Sequence, residues 1–319
     1  MKREKTEIKY ILLAICTYKR PNMCKNAILS VNNLTLPQNI NVELLVADND
    51  FEGSAKSVVS ELQNQIPLKI HYVVEKNRGL SNARNRVLEE SIKLGATHIS
   101  MLDDDEILTE NSLIAHVNLY DANEDCFISS GIVLNKFLPE TKNYIRKNIV
   151  FKQKTTKKTG TIKSSCASGN VFIPVDMVKE NPDLRFSSEF QLMGGEDGEF
   201  FSRASKMGYT IVQNSESLIY EDVSKERATV SYLLRRSYYN GYSGSYLKFK
   251  EDKSFFKVFP YLFKLFIVFI FNLFCLIPSL LFGLTLFFNV LSMSAKTFGK
   301  IKATLLGTPL NFYSKTYGN

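Results

Sequence analysis

Cysteine and histidine are scarce in this chain of 319 residues, and tryptophan is absent. The five cysteines (Cys16, Cys24, Cys126, Cys166, Cys275) are scattered, odd in number and nowhere spaced C-x-x-C. That excludes a disulfide framework and a thiolate zinc site, and points to a reducing compartment. Cys16, Cys126 and Cys275 sit in apolar runs and read as small core residues. The three histidines, His71, His98 and His116, are isolated from one another. His71 and His98 fall in strand-like runs, where a structural role is expected. The opening Met1–Glu7 is charged and lacks an apolar core, so no signal peptide is expected. No internal repeat is found.

What is present indicates a real core. Apolar residues make up 45% of the chain and aromatics 12%, enough for one large α/β domain with an appendage, or for two domains. The net charge of +8 is unevenly placed. Basic residues crowd 142–163 and 227–264, while acids gather at 103–106 and 196–199. A positive balance suits nucleic acid, anionic lipid or an anionic substrate, and does not choose among them.

The chain is organised around one stretch. An apolar segment from Thr97 to Leu102 runs straight into Asp103-Asp104-Asp105-Glu106. The apolar part reads as a short buried strand. Burying four unpaired carboxylates at its end would cost several kcal/mol. A hard cation would remove that cost, and Asp103 and Asp105, two apart, suit one magnesium or manganese ion shared with a bound phosphate. A solvated acidic loop is the bland alternative.

The segments around it decide. Strand-like runs at 10–15, 42–47 and 68–74 alternate with helical patterns at 22–34, 54–63 and 81–94, the last with Ser81 as N-cap and Gly95 as stop. Such alternation predicts a Rossmann-like, mostly parallel sheet with helices on both faces. Ligands of such sheets bind beyond the carboxyl ends of the strands. Thr17, Asp48-Asn49-Asp50, 75–78 and the four acids all follow strands, so they are expected to line one crevice.

The second half is less regular. Strands are expected at 126–134, 171–174, 210–213 and 217–220, with a Lys/Thr-rich loop or hairpin at 142–163. Gly194-Gly195-Glu196-Asp197-Gly198-Glu199 leads into a helix at 200–207. A basic, tyrosine-rich helical stretch, 228–247, is interrupted by Gly241 and Gly244. No charged residue occurs from Leu265 to Ala295, where a single membrane span needs about 20 residues. Pro278 and Gly283 break that run and lysines flank both ends, which predicts two short helices dipping into a membrane as a hairpin; a single tilted span is the competitor.

A strand-end acid pair, a crevice of nucleotide size and a second acid site at Glu196-Asp197 together fit transfer of a group from a nucleoside diphosphate. A metal would neutralise the leaving diphosphate, and a carboxylate opposite it would take the proton of the attacking hydroxyl. The alternative for Glu196-Asp197 is helix capping alone.

The motifs Ala14-Ile-Cys-Thr-Tyr-Lys-Arg-Pro21, Leu45-Val-Ala-Asp-Asn-Asp50, Asn77-Arg-Gly-Leu-Ser-Asn-Ala-Arg-Asn85, Met101-Leu-Asp-Asp-Asp-Glu106 and Gly195-Glu-Asp-Gly-Glu-Phe-Phe-Ser-Arg203 carry a resemblance to the family 2 glycosyltransferases of GT-A fold, of the bacterial cell-surface polysaccharide type. It covers residues 8–245. The resemblance implies that Thr17, Asp48 and Asn49 meet the nucleotide, with Arg78 or Arg84 near the base or diphosphate. Asp103 and Asp105 match the DxD motif that holds a divalent cation and the diphosphate, and Asp104 faces the ribose or donor sugar. Asp197 matches the catalytic base of an inverting single displacement, with Glu196 beside it on the acceptor. Glu221 stands where relatives place a late ligand. Arg227, Arg235, Arg236 and the tyrosines between Tyr232 and Tyr246 are candidates for lipid diphosphate or acceptor sugar, with an ordinary amphipathic helix face as the alternative. Lacking a Gln-x-x-Arg-Trp motif and several spans, the chain is expected to add one sugar per encounter.

The expected organisation is a catalytic domain at 1–247, with a nucleotide-sugar half at 8–106 and an acceptor half at 107–247, then a basic-flanked hydrophobic segment and tail at 248–319. The expected partners are a nucleoside-diphosphate sugar, foremost a UDP-sugar, a glycan acceptor carried on polyprenyl diphosphate, and membrane lipid at the cytoplasmic face of a bacterial membrane, with no nucleic acid. Two other classes stay open: a metal-dependent nucleotidyltransferase, and a non-catalytic membrane-bound module that binds nucleic acid, which predicts steeply salt-dependent binding.

Overall fold

In the computed structural model, residues 5–152, 158–190, 193–250, 252–308 and 310 are described. The first four strands, β1 (Tyr10–Thr17), β2 (Asn41–Asp48), β3 (Ile70–Val74) and β4 (His98–Asp103), pair in parallel in the order β3-β2-β1-β4. Helices α1 (Pro21–Ser30), α2 (Lys56–Leu62) and α3 (Leu80–Lys93) connect them. Along β1 the side chains divide by the strand period of two: Ile11, Leu13 and Ile15 pack with α1 and α2, while Leu12 and Ala14 pack with α3. Burial on both faces is why these strands read as unbroken apolar runs.

Ser81 does not cap α3. Gly79, at φ 150°, occupies the cap position, and the Ser81 hydroxyl instead donates to the Ser187 carbonyl at 2.7 Å. A side chain at Gly79 would strain the backbone there.

Beyond β4 the sheet becomes mixed, with antiparallel pairs added to the parallel first half. The elements are β5 (Glu106–Leu108), α4 (Ser112–Asp121), β6 (Phe127–Phe137), α5 (Asn143–Arg146), β7 (Ile162–Lys163), β8 (Val171–Pro174), α6 (Asp176–Glu180), α7 (Glu196–Lys206) and β9 (Thr210–Val223). β8 runs antiparallel between β4 and β6, β6 and β9 pair in parallel, and β5 and β7 pair antiparallel with β9. The two short strands expected at 210–220 are one strand. The apparent gap between them is a bulge, where the β6 register shifts between Ser130 and Ile132. The expected loop at 142–163 holds α5 and β7 at its ends, and its residues 153–157 lie outside the described residues, as do residues 1–4 of the charged opening.

Three long helices close the chain: α8 (Val230–Phe249), α9 (Phe255–Leu281) and α10 (Leu284–Leu306). α8 is continuous through Gly241 and Gly244. Gly241 is there for close packing rather than as a break, because a Cβ on it would stand 2.0 Å from the Lys296 carbonyl of α10. A Cβ on Gly299 would likewise stand 2.1 Å from the Tyr238 carbonyl. Pro278 lies inside α9, and the turn falls at Phe282–Gly283 instead. The pair is a hairpin, but an unequal one. Among the described residues α9 is the one helix long and apolar enough to cross a membrane, with Phe256, Ile277 and Leu281 more than four-fifths exposed. α10 packs on α8 through small residues, burying Ser292, Thr297 and Gly299.

Candidate active site

The carboxyl ends of β1 and β4 lie side by side, with Cys16 opposite Asp103, and the end of β2 joins them, with Thr17 opposite Asp48. A cavity of about 340 Å³ opens there. Thr17, Asn49, Arg78 and Arg84 line it from the first half of the chain, and Asp103 and Asp105 from the acidic stretch. Glu196, Asp197, Glu221, Arg227 and Arg236 close it from the second half. Residues 17 to 236 in sequence thus meet in one crevice, as the strand-end argument requires.

The acids are held by arginines. The Arg84 guanidinium donates to Asp103 Oδ1 at 3.1 Å and pairs with Glu196. Arg20 reaches Asp104 at 2.9 Å and Asp105 at 3.2 Å. Arg227 donates to Asp105 Oδ2 at 2.7 Å and also pairs with Glu221. Burial, reinforced by neighbouring carboxylates, pushes the Asp104 carboxyl up to about 7 and raises Glu106 well above the usual carboxylate range. Glu221 is raised too, chiefly by burial. Burial works against the charge on Arg84, but Asp103 and Glu196 outweigh it and lift its pKa further.

Asp197 sits in the first turn of α7, after Gly195 at φ 96°, and its Oδ1 accepts a hydrogen bond from Gly198 N at 2.6 Å. Carboxylate charge is favoured at this helix end. Glu196 beside it is only 3% exposed. On the cavity wall its Oε1 is taken by Arg84 and its Oε2 has no hydrogen-bond partner.

Three expected residues lie off the cavity wall. The buried Asp48 carboxylate accepts from Ala55 N at 2.7 Å, Asp50 N at 3.0 Å and the Tyr72 hydroxyl at 2.9 Å, so it shapes the loop after β2. Asp104 is wholly buried, bonded by the Thr17 hydroxyl at 2.8 Å as well as by Arg20. Arg235 rests over the Tyr239 ring at 5.9 Å, while Arg236 reaches the cavity. Asn49 lines the wall with its side chain spanning the loop after β3, donating to the Asn77 carbonyl at 2.8 Å and accepting from Gly79 N at 2.7 Å.

Sequence reasoning passed over three residues that matter. Arg20 neutralises two of the four acids, and a run of four carboxylates calls for such a counter-charge. Glu106 accepts from Asp103 N at 2.8 Å and so fixes the start of the acidic turn. Tyr18 lines the cavity with the Arg78 guanidinium 4.8 Å above its ring.

Among the described residues no three His, Cys, Asp or Glu side chains are arranged to hold a metal alone. Two carboxylates that open on the cavity do fit a hard cation that draws its other ligands from water and phosphate. Asp103, 37% exposed at its side chain, and Asp105 are those two.

The fold is of the GT-A class, with a cavity where the parallel strands end. Residues 13–181 match the family described as Glycosyl transferase family 2, and residues 98–308 match Glycosyl transferase family group 2. The chain belongs to glycosyl transferase family 2 and is a glycosyltransferase. It is 26% identical over 235 residues, 74% of each chain, to the succinoglycan biosynthesis protein ExoM of Rhizobium meliloti (strain 1021). Its fold is similar to S. aureus TarS 1-349 in complex with UDP-GlcNAc, with a TM-score of 0.52, 16% identity and 73% of this chain matched to 66% of that one. It is equally similar to the mannosyltransferase PcManGT of Pyrobaculum calidifontis in complex with GDP-Man and Mn2+, with a TM-score of 0.52, 16% identity and 75% of this chain matched to 64% of that one. The match thus spans just under two thirds of each of these two solved chains.

Proposed function

We propose that this enzyme moves one sugar from a nucleoside-diphosphate sugar, foremost a UDP-sugar, to a hydroxyl of a lipid-linked glycan in surface polysaccharide synthesis, with inversion at the anomeric carbon. One observation carries the reading: Asp103, Asp105 and Asp197 open on the same cavity. The relatives add support, since one is a succinoglycan biosynthesis protein and the solved neighbours hold UDP-GlcNAc or GDP-Man with Mn2+.

Asp103 and Asp105 would hold a divalent cation, magnesium or manganese, which when bound offsets diphosphate charge. Arg78 and Arg84, both on the wall, add positive charge for an anionic donor. Thr17 and Asn49 fix the floor of the nucleotide subsite, and Asp48 and Asp104 hold that floor from behind. Asp197 takes the proton from the acceptor hydroxyl as it attacks the anomeric carbon. Its neighbour Glu196 keeps Arg84 in place. Glu221 and Arg227 close the cavity from the last strand and the loop after it, and Arg236 from α8. The exposed face of α9 would seat the protein at the cytoplasmic face of a bacterial membrane, beside a polyprenyl-linked acceptor.

The test is a thermal-shift screen of purified protein with UDP-, GDP- and dTDP-sugars, with and without manganese, followed by turnover with the donor that binds. A donor at 100 times its Kd raises folding stability by about 2.7 kcal/mol. Asp103→Asn and Asp105→Asn should lose the manganese-dependent part of that shift and about 100-fold or more in transfer. Asp197→Asn should keep the donor shift yet lose about 100-fold or more in transfer. Normal turnover by all three would sink the reading.

A further inference from the structure

A second cavity, of about 300 Å³, adjoins the first and shares Gly195, Asp197 and Arg236 with it. Its far wall is one stripe of α8: Arg236, Tyr239, Asn240, Ser243, Gly244 and Leu247. These fall at intervals of three and four, so they form a single helix face. The opposite face, with Ser237, Gly241, Tyr242, Ser245 and Tyr246, is buried. α8 therefore packs on its neighbours along one side and offers the other to a space that begins at Asp197.

The chemistry of that wall is specific. Among the described lining residues charge occurs only at the end shared with the first cavity, where Asp197 and Arg236 stand, and the Arg235 guanidinium lies 5.9 Å over the ring of the lining Tyr239. Beyond them the lining is a phenol ring, an amide, a hydroxyl and apolar side chains. The Ser243 hydroxyl donates to the Tyr239 carbonyl at 3.0 Å, and its oxygen can still accept. A phosphate seated there would meet the Asp197 carboxylate with one guanidinium at the rim to balance it, at a desolvation cost the wall does not repay. A sugar ring suits it: the apolar ring face packs on an aromatic side chain, and hydroxyls pair with amide and hydroxyl groups.

We propose that this cavity binds the terminal sugar of the acceptor, and that this sugar is an uncharged ring without phosphate, read by Tyr239, Asn240 and Ser243. The proposal rests on the glycosyl-transfer reading, since it makes Asp197 the hinge between donor and acceptor cavities. It excludes a polyol phosphate as the receiving unit and confines any lipid diphosphate to positions outside the second cavity.

Gly244 provides the test. It is exposed, it lies in regular helix, and a Cβ added there meets open space. Gly244→Leu should fill the cavity while favouring the helix. Wild type, Gly244→Leu and Asn240→Ala would be reconstituted in lipid nanodiscs and probed by saturation-transfer NMR with methyl glucoside, methyl galactoside, methyl mannoside and glycerol 3-phosphate. At least one glycoside should show ring-proton transfer with wild type, about tenfold weaker with Gly244→Leu and reduced with Asn240→Ala. The melting temperature should be at or above wild type for Gly244→Leu and close to it for Asn240→Ala, and the shift caused by UDP with manganese should match wild type in both variants. No glycoside signal from wild type, an undiminished signal from folded Gly244→Leu, or a stronger signal from glycerol 3-phosphate would each overturn the proposal. A glycoside signal lost in Gly244→Leu, in a protein that no nucleotide sugar stabilises, would uphold the cavity as a sugar site and count against the transferase reading alone.

Discussion

At Asp105, guanidinium groups from Arg20 and Arg227 share one carboxylate oxygen, although the two arginines come from opposite ends of the catalytic region. Buried ion pairs of this kind are costly to break from one side, because the remaining charge is stranded. Arg20→Met should therefore destabilise the protein by about 3 kcal/mol at pH 7.5, measured by chemical denaturation. A loss below a few tenths of that would mean Asp104 and Asp105 do not depend on Arg20. Histidines offer a second prediction at this scale. His116 is wholly buried, hydrogen-bonded to Ser129 at 2.7 Å and Asn170 at 3.0 Å, and burial lowers its pKa to about 4. His98, stacked on Phe172 at 4.9 Å, is lowered to about 3 for the same reason. A lowered histidine favours the neutral form in the folded state, so its contribution is complete above the unfolded value near 6.5. It is lost as the pH falls from 6.5 toward 4. For His116 that amounts to about 3 kcal/mol by pH 4, at about 1.36 kcal/mol per unit. Denaturation midpoints between pH 7 and pH 4 should fall accordingly, and should fall less steeply in a folded His116→Gln variant.

Between elements, the crossing of α8 and α10 ties the C-terminal hairpin to the cavity walls. Backbone meets backbone at Gly241 and Gly299, so no larger residue fits without moving a helix. Gly241→Val should lower stability by about 1–3 kcal/mol through overpacking, seen as a fall of several degrees in melting temperature. Because Arg236, Tyr239 and Ser243 ride on the same helix, transfer should weaken along with it. Gly244→Ala, one turn away with open space for its Cβ, should instead raise stability by about 0.5–1 kcal/mol. The same crossing argues against treating residues after 255 as a removable tail. Deleting them would strip α10 from the buried face of α8.

For the molecule as a whole, the exposed aromatic face of α9 stands out from a surface that elsewhere carries its positive charge. Phe256, Phe263, Phe271 and Phe274 are each more than 60% exposed, and a contiguous apolar surface of this extent needs a partner. Replacing Phe256, Phe263, Phe271 and Phe274 with Gln should move the protein from the membrane pellet to the supernatant in a flotation assay, with α10 and the catalytic cavity intact. Tight membrane retention of that variant would mean that α9 is not what holds the protein to lipid.

The sequence alone determined the strand–helix alternation of the first half, the acidic turn after β4 and the second acid site at α7, because local period, glycine placement and charge runs are written in neighbouring residues. β1, β4 and β8 form where the apolar runs stand, and Asp103, Asp105 and Asp197 face one cavity as their strand-end and helix-start positions require. Tertiary structure alone decided which arginine meets which acid, that Asp48 and Asp104 support the cavity from behind, and that Gly241 joins helices instead of ending one. It also decided that β8, β5 and β7 run against their partners. Most of these depend on groups that the fold brings together from separate elements, as with Arg20 and Asp105, 85 positions apart. Such contacts are set by the packing of whole elements, and no local pattern encodes them.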